Sequence, residues 1–198
     1  VNSHIYIEGA DSYEDKIRCR QAFRRLLSHC GLEKRMPRLS PCGSRNTAFD
    51  RFKSAFEKSA SGDFVALLID SEDPVLDPEK TWDHLKQRDP SWTKPNGAND
   101  EHVLFMTTCM ETWIVADRAT LRRHYKQNLQ DTALPPVQNL EARSRRDIQD
   151  KLTHATRECP NAYRKGRRSF EVLEQLNPNA LSALPSFARA IRILKANL

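Results

Sequence analysis

The sequence predicts an α/β fold, in which a mostly parallel central sheet is flanked by helices and followed by a basic helical extension. Three observations carry this prediction. Apolar, β-rich runs alternate with helically periodic segments up to residue 125, in the order βαβαβαβα, which right-handed crossovers convert into a parallel sheet. The run Phe64-Val65-Ala66-Leu67-Leu68-Ile69 is apolar without alternation, as a central strand covered on both faces requires. Beyond Pro135-Pro136 the chain turns helical and basic.

Taken in order, Ile5-Tyr6-Ile7 forms the first strand and stops at Glu8-Gly9-Ala10-Asp11. Cys19, Ala22, Phe23, Leu26, Leu27 and Cys30 then recur at helical spacing, with Asp11 or Ser12 as the N-cap and Gly31 as the stop. Residues 34–42 make a weaker strand interrupted by Pro37. Asn46 or Thr47 caps a helix carrying Phe49, Phe52, Phe56 and Ala60 on one face. The central strand follows, ending at Asp70-Ser71-Glu72-Asp73-Pro74, and residues 76–99 hold a short helix near Trp82 and Trp92. A fourth strand, His102 to Thr107, leads into Met110-Glu111-Thr112-Trp113, and a helix then runs through Tyr125. Residues 127–139 read as a linker, and Leu184, Phe187, Ile191 and Leu194 mark a last amphipathic helix that packs back on the sheet. The expected division is an α/β domain over residues 1–126 and a basic helical extension over residues 127–198.

Composition narrows the function. No apolar run approaches the ~20 residues that span a bilayer. The start at Val1-Asn2-Ser3-His4 lacks a basic stretch before its apolar run, so no signal peptide is expected. Five cysteines (Cys19, Cys30, Cys42, Cys109, Cys159) without CxxC spacing argue for reduced, buried thiols and a cytoplasmic protein. No HxxxH, HxH, GxxxxGK[ST], GxGxxG or GxSxG pattern occurs, which removes zinc-peptidase, nucleotide-loop and serine-hydrolase readings. Residues 1–117 hold 16 Lys/Arg against 19 Asp/Glu, whereas residues 118–198 hold 16 against 7. An acidic half joined to a basic half suits a metal-using enzyme on a polyanion, although solubility alone also produces such a surface.

Ligands of open α/β sheets gather outside the carboxyl ends of the strands. Two central strands end there in carboxylates, Glu8 after the first and Asp70, Glu72 and Asp73 after the third. Hard oxygen donors clustered in this way suit Mg²⁺ or Mn²⁺, and Gly9 leaves backbone room for a phosphate or metal. Either cluster alone reads more simply as a turn or a solvated loop; two such clusters on consecutive predicted sheet strands point to a metal site. The basic clusters Arg143, Arg145, Arg146 and Arg164, Lys165, Arg167, Arg168 are candidates for gripping phosphates without reading sequence, against the plain alternative of a solvated helix face.

A strand ending in Glu-Gly about sixty residues before one ending in Asp-x-acid resembles the Toprim domain, which topoisomerases, primases and the OLD-type nucleases of bacterial defence share. The resemblance covers roughly residues 4–117 and implies a Rossmann-like sheet. It makes Glu8 a general acid/base or metal ligand, and Asp70 and Glu72 the Mg²⁺ ligands. Asp-Ser-Glu-Asp departs from the family's Asp-x-Asp, so Glu72 and Asp73 compete for the second place. The whole chain is also similar to small Toprim-like bacterial proteins often encoded beside an ABC-type ATPase. Met110-Glu111-Thr112-Trp113 and Tyr163-Arg164-Lys165-Gly166 are the shared marks; they bring in Glu111 as a further metal ligand and Lys165 as a contact to the scissile phosphate.

Within that class a topoisomerase needs a separate tyrosine-bearing domain and a primase a zinc module. The resemblance therefore implies a Mg²⁺-dependent nuclease on DNA or RNA, an effector of antiphage defence working with an ATPase partner. The alternative is a catalytically silent module that binds nucleic acid or regulates the ATPase.

Overall fold

Strands β1 (Ser3–Ile7), β2 (Arg38–Pro41), β3 (Phe64–Asp70) and β4 (Val103–Met106) pair in parallel in the order β2-β1-β3-β4 in the computed structural model, which describes residues 2–198. Val1, with which the expected leaderless start opens, lies outside the described residues. The chain leaves β1 toward β2, then returns past β1 to β3, so the winding reverses between β1 and β3. That reversal opens a crevice at the two carboxyl ends, where doubly wound sheets bind ligands.

The pleat divides the core in two. Ile5, Ile7, Ala66, Leu68, Leu104 and Met106 join one apolar cluster with residues of helix α1 (Tyr13–Leu27). Val65, Leu67, Ile69, Val103 and Phe105 face the other way, against Phe49 and Phe52 of α2 (Arg45–Phe56) and Trp82 and Leu85 of α3 (Thr81–Arg88). Every residue of β3 is buried, which accounts for its unbroken apolar run.

The chain beyond β4 folds into α4 (Met110–Ala116), α5 (Arg118–Tyr125), α6 (Arg145–Thr156), α7 (Arg167–Leu173), α8 (Pro178–Leu181) and α9 (Pro185–Asn197). Phe170, Leu173, Phe187, Ala190, Ile193 and Leu194 belong to the same cluster as Ile5 and Leu68, so the basic extension shares its core with the sheet. Helix α9 lies on β4, held by the buried Arg189, whose guanidinium donates to the carbonyls of Val103 (3.0 Å) and Asp100 (2.7 Å) and pairs with Glu79 (3.1 Å). All five cysteines are buried free thiols, and among the described residues no helix is long and apolar enough to cross a membrane.

Several expected boundaries move for local reasons. Ser12 caps α1, its Oγ accepting from Asp15 N (3.0 Å), but α1 ends at Leu27 and a wide turn over Ser28–Leu32 carries Cys30 and Leu32 into the core. Ser44 caps α2 in place of Asn46 or Thr47: its backbone is extended and its Oγ accepts from Thr47 N (3.2 Å), leaving both candidates inside the helix and Ala60 beyond its end. Strand β2 starts only after Pro37, because residues Glu33–Arg35 form a tight turn. Strand β4 is confined to Val103–Met106, between the turn at Asp100–His102 and Thr107.

The helix expected after Met110-Glu111-Thr112-Trp113 and through Tyr125 starts earlier, at Met110, and breaks at Asp117, whose carboxylate accepts from Thr120 N (3.0 Å) to start α5 and from Asn177 N (2.8 Å) to anchor the loop before α8.

Glu141 caps α9 from a distance, both its oxygens accepting from Ser186 N (3.1 Å). Burial pushes this carboxyl up to about 7. The unfolded chain therefore ionises Glu141 first, and stability declines as pH rises from about 4.5 through about 7. Glu141→Gln keeps an acceptor without the charge and is expected to be about 2 kcal/mol more stable than the parent at pH 8 and near parity at pH 4.5. Urea unfolding of both proteins at the two pH values measures the gap; a gap independent of pH contradicts the assignment.

Candidate metal centre

The crevice at the reversal point holds the acidic residues. Glu8 follows β1 directly, its N–H donating to Leu68 O (2.9 Å), and Asp70 ends β3. Gly9 then turns away at φ 115°, exchanging hydrogen bonds with Gly43 in the loop after β2 (2.7 and 3.1 Å). That conformation suits glycine, and it lets the two loops close on one side of the crevice. Glu72 adopts φ 70°, and its N–H donates to Thr108 O (2.9 Å). A left-handed glutamate costs on the order of 1 kcal/mol, and such residues cluster where geometry serves a site.

Carboxylate oxygens of Glu8, Asp70 and Glu72 all lie within 4.8 Å of one another. Asp73, the competitor for Glu72's place, is not among them: it is mostly exposed and pairs with Arg88 Nε (3.1 Å). Glu111 is buried in the first turn of α4 and lines the same hollow, but its oxygens accept from the Tyr163 hydroxyl and from Gln149 Nε2 (3.2 Å). The two marks Met110-Glu111-Thr112-Trp113 and Tyr163-Arg164-Lys165-Gly166 thus meet through the Tyr163–Glu111 hydrogen bond. The hollow has a volume of about 400 Å³, and Lys165 is an exposed residue on its wall.

Asp70 is 6% exposed, and Oδ1 accepts from Met110 N (2.9 Å) at the start of α4. Burial raises its pKa well above the usual carboxylate range; the charges of Glu8 and Glu111 raise it further, while Arg145 and Lys165 oppose them. Glu8 is also raised, by burial first and by Glu72 as well, against the pull of Arg45 and of the Asp70 N–H (3.1 Å). Two carboxylates at adjacent strand ends, both with raised proton affinity, mark a place short of positive charge.

Part of the compensation comes from Arg45, which sequence reasoning passed over. It stands at the first position of α2, donates to Glu8 Oε2 (3.4 Å) and the Asp70 carbonyl, and pairs with Asp89 (2.7 Å). Its guanidinium lies 5.0 Å from the Trp92 ring centroid. The available signal was its place just past the carboxyl end of β2, on the side of the sheet where Glu8 and Asp70 end their strands.

The seven basic candidates separate. Arg145, at the start of α6, pairs with Glu72 and so reaches the centre; Lys165 reaches the hollow. Arg143 pairs with Asp147 (3.1 Å), Arg146 with Asp150 (3.4 Å) and Arg167 with Glu171 (3.2 Å), each with a partner four residues on. Arg168 donates to the Ala162 carbonyl (2.6 Å), and Arg164 is exposed.

Comparison with known families gives one match. The pattern of the domain of unknown function DUF4276 covers residues 13–195. The chain belongs to the DUF4276 family. No curated protein and no solved structure matches it. Glu8 precedes the matched span of this DUF4276 chain, while Asp70, Glu72, Glu111 and Lys165 fall inside it.

The donor set fits a divalent cation. Three carboxylate oxygens from two adjacent strand ends converge with no thiol or imidazole among them, and the raised proton affinities of Glu8 and Asp70 mark the place where positive charge is wanted. Hard, all-oxygen donors select Mg²⁺ or Mn²⁺ over softer metals.

Proposed function

We propose that this chain is a Mg²⁺-dependent nuclease hydrolysing phosphodiesters of DNA or RNA. The convergence of Glu8, Asp70 and Glu72 at the reversal of the sheet carries the reading. Asp70 and Glu72 would hold the metal, with Mn²⁺ as a substitute, and Glu8 would share in this or move a proton. A metal so bound supplies Lewis acidity toward a phosphoryl oxygen and an activated water. The residues of the chain do the rest. The Met110 N–H fixes the Asp70 carboxylate; burial keeps Glu8 closer to neutral pH, where it is useful as an acid or base; Lys165 offers a point charge to a phosphate on the wall of the hollow.

The Toprim resemblance supports the same chemistry. From it come the further proposals of a cytoplasmic antiphage effector and an ABC-type ATPase partner. One observation favours a second reading, a silent module that binds nucleic acid or regulates the ATPase: Glu8 and Glu72 already carry the arginines Arg45 and Arg145.

The test is cleavage of plasmid DNA and of total RNA by the purified chain in Mg²⁺ and in Mn²⁺, beside Glu8→Ala and Asp70→Ala. Metal-dependent cutting lost in both variants is the expected result and names the substrate. Cutting that persists in both places the chemistry elsewhere. Absence of cutting, both alone and with the ATPase added, selects the silent module.

A further inference from the structure

Among the described residues, five cations without a carboxylate partner gather around the edge strand β2, in the acidic half of the sequence. Arg38 and Ser40 of β2 border two hollows, one on each side of the strand. The first, about 340 Å³, is lined also by Arg20 and Arg24 of α1; the second, about 430 Å³, by Arg51 and Lys58 with His4 and Tyr6 of β1. Arg20, Arg24, Arg38, Arg51 and Lys58 are all exposed, and among the described residues none of the five is within ion-pair distance of a carboxylate. No acidic side chain lines either hollow. Of the seven basic candidates in the C-terminal half, Arg143, Arg145, Arg146 and Arg167 each hold a carboxylate, and among the described residues Arg164, Lys165 and Arg168 do not.

The floor of the second hollow is polar where strands usually carry apolar residues. His4 and Tyr6 stack at 4.1 Å, His4 Nε2 shares a hydrogen bond with Ser40 Oγ (2.7 Å), and Tyr6 OH shares one with His4 Nδ1 (3.1 Å). Burial and Arg38 hold His4 down to about 4, so its ring is neutral at pH 7 and serves as a hydrogen-bonding group. Arg20 is anchored by its Nε donating to Leu39 O (3.1 Å), which leaves the terminal nitrogens of its guanidinium at the mouth of the first hollow. At its carboxyl end β2 runs into Gly43, Ser44 and Arg45, hence to the carboxylate centre.

We infer that the β2 edge is a phosphate track: Arg20, Arg24, Arg38, Arg51 and Lys58 grip the backbone of a nucleic acid whose strand passes from this edge to the Glu8–Asp70–Glu72 centre. Five cations spread over two shallow hollows joined by Arg38 exceed what a single phosphate uses, and match a chain of phosphates held without reading sequence. The choice of nucleic acid as ligand rests on the nuclease reading. The gripping surface itself is separable from cleavage.

The test is fluorescence anisotropy of labelled 30-nucleotide single-stranded DNA, duplex DNA and RNA with the full chain in EDTA, from 50 to 200 mM salt. Arg38→Ala/Arg51→Ala/Lys58→Ala is expected to weaken binding at least about tenfold and to reduce the slope of log K against log salt by about 2–3. Lys86→Ala/Arg157→Ala/Lys195→Ala removes equal charge elsewhere and is expected to stay within about twofold of the parent. Unchanged binding in the β2 variant, equal loss in both variants, or loss in Arg146→Ala/Arg167→Ala in its place overturns the track. Inorganic phosphate binding with the same dependence on Arg38 and Arg51, without nucleic-acid binding, overturns it in favour of a small-anion site. Asp70→Ala is expected to bind normally and, in Mg²⁺, not to cut, so a failed nuclease reading with intact binding is told apart from a failed track.

Discussion

Replacing Asp70 by asparagine is expected to make the metal-free protein more stable while removing its response to Mg²⁺. Asp70 is buried at the end of β3 with Glu8 and Glu111 close by, and its proton affinity is raised by that burial and those charges. A carboxyl whose folded pKa lies above its ordinary 3.8 destabilises the fold as pH climbs through that value. Asparagine keeps an acceptor for the Met110 N–H and removes the charge. The gain should be about 1–2 kcal/mol at pH 8 and smaller at pH 5. Mg²⁺ at ten times its Kd contributes about 1.4 kcal/mol to the parent, a rise of about 3–5 °C, and nothing to the variant. Cleavage should fall by at least about 100-fold. Thermal unfolding with and without Mg²⁺ reads both effects. A variant that is destabilised and still shifts with Mg²⁺ would falsify the metal role of Asp70.

Arg45→Met is expected to be the most damaging single change at the centre. Its guanidinium serves Glu8, the Asp70 carbonyl and Asp89, all largely shielded from water, and it packs over Trp92. Methionine fills similar space but leaves the Glu8 and Asp89 charges without a counter-ion, a loss of about 3–5 kcal/mol. Arg45→Lys keeps the charge without the fork and should recover only part of it. Adding Asp89→Asn to Arg45→Met should return part of the loss, because the orphaned charge goes with it. Denaturant unfolding of the parent, Arg45→Met, Asp89→Asn and the double variant completes the cycle; a loss under about 1 kcal/mol for Arg45→Met shows that water already compensates these groups.

The contrast between Asp70 and Arg45 explains what the sequence made legible. β3 announced itself because a strand buried on both faces must be apolar throughout, and its terminal carboxylate stood out against that run. Glu8 was visible for the same reason, as a charge ending a short apolar strand. Arg45 carried no such contrast: one arginine among many, defined only by an aspartate 44 residues later. The break at Asp117 was hidden likewise, since one of its two partners, Asn177, is 60 residues away. Counting charge by halves concealed the β2 edge, because the acids that outweigh its arginines include those at the other end of the strands, around the crevice. Periodicity reports what a segment buries; it is silent on which distant side chain completes a hydrogen bond.

The position of α9 on β4 has a consequence for biosynthesis. Roughly eighty residues separate Met106 from Pro185, and α9 contributes Phe187, Ala190 and Leu194 to the core cluster that holds Ile5, Leu68 and Leu104. At about 5–20 residues per second, a ribosome takes about 4–16 s to make the intervening chain. During that interval α1 covers part of this apolar face, and the part over β4 stays open on the nascent chain until α9 emerges from the exit tunnel.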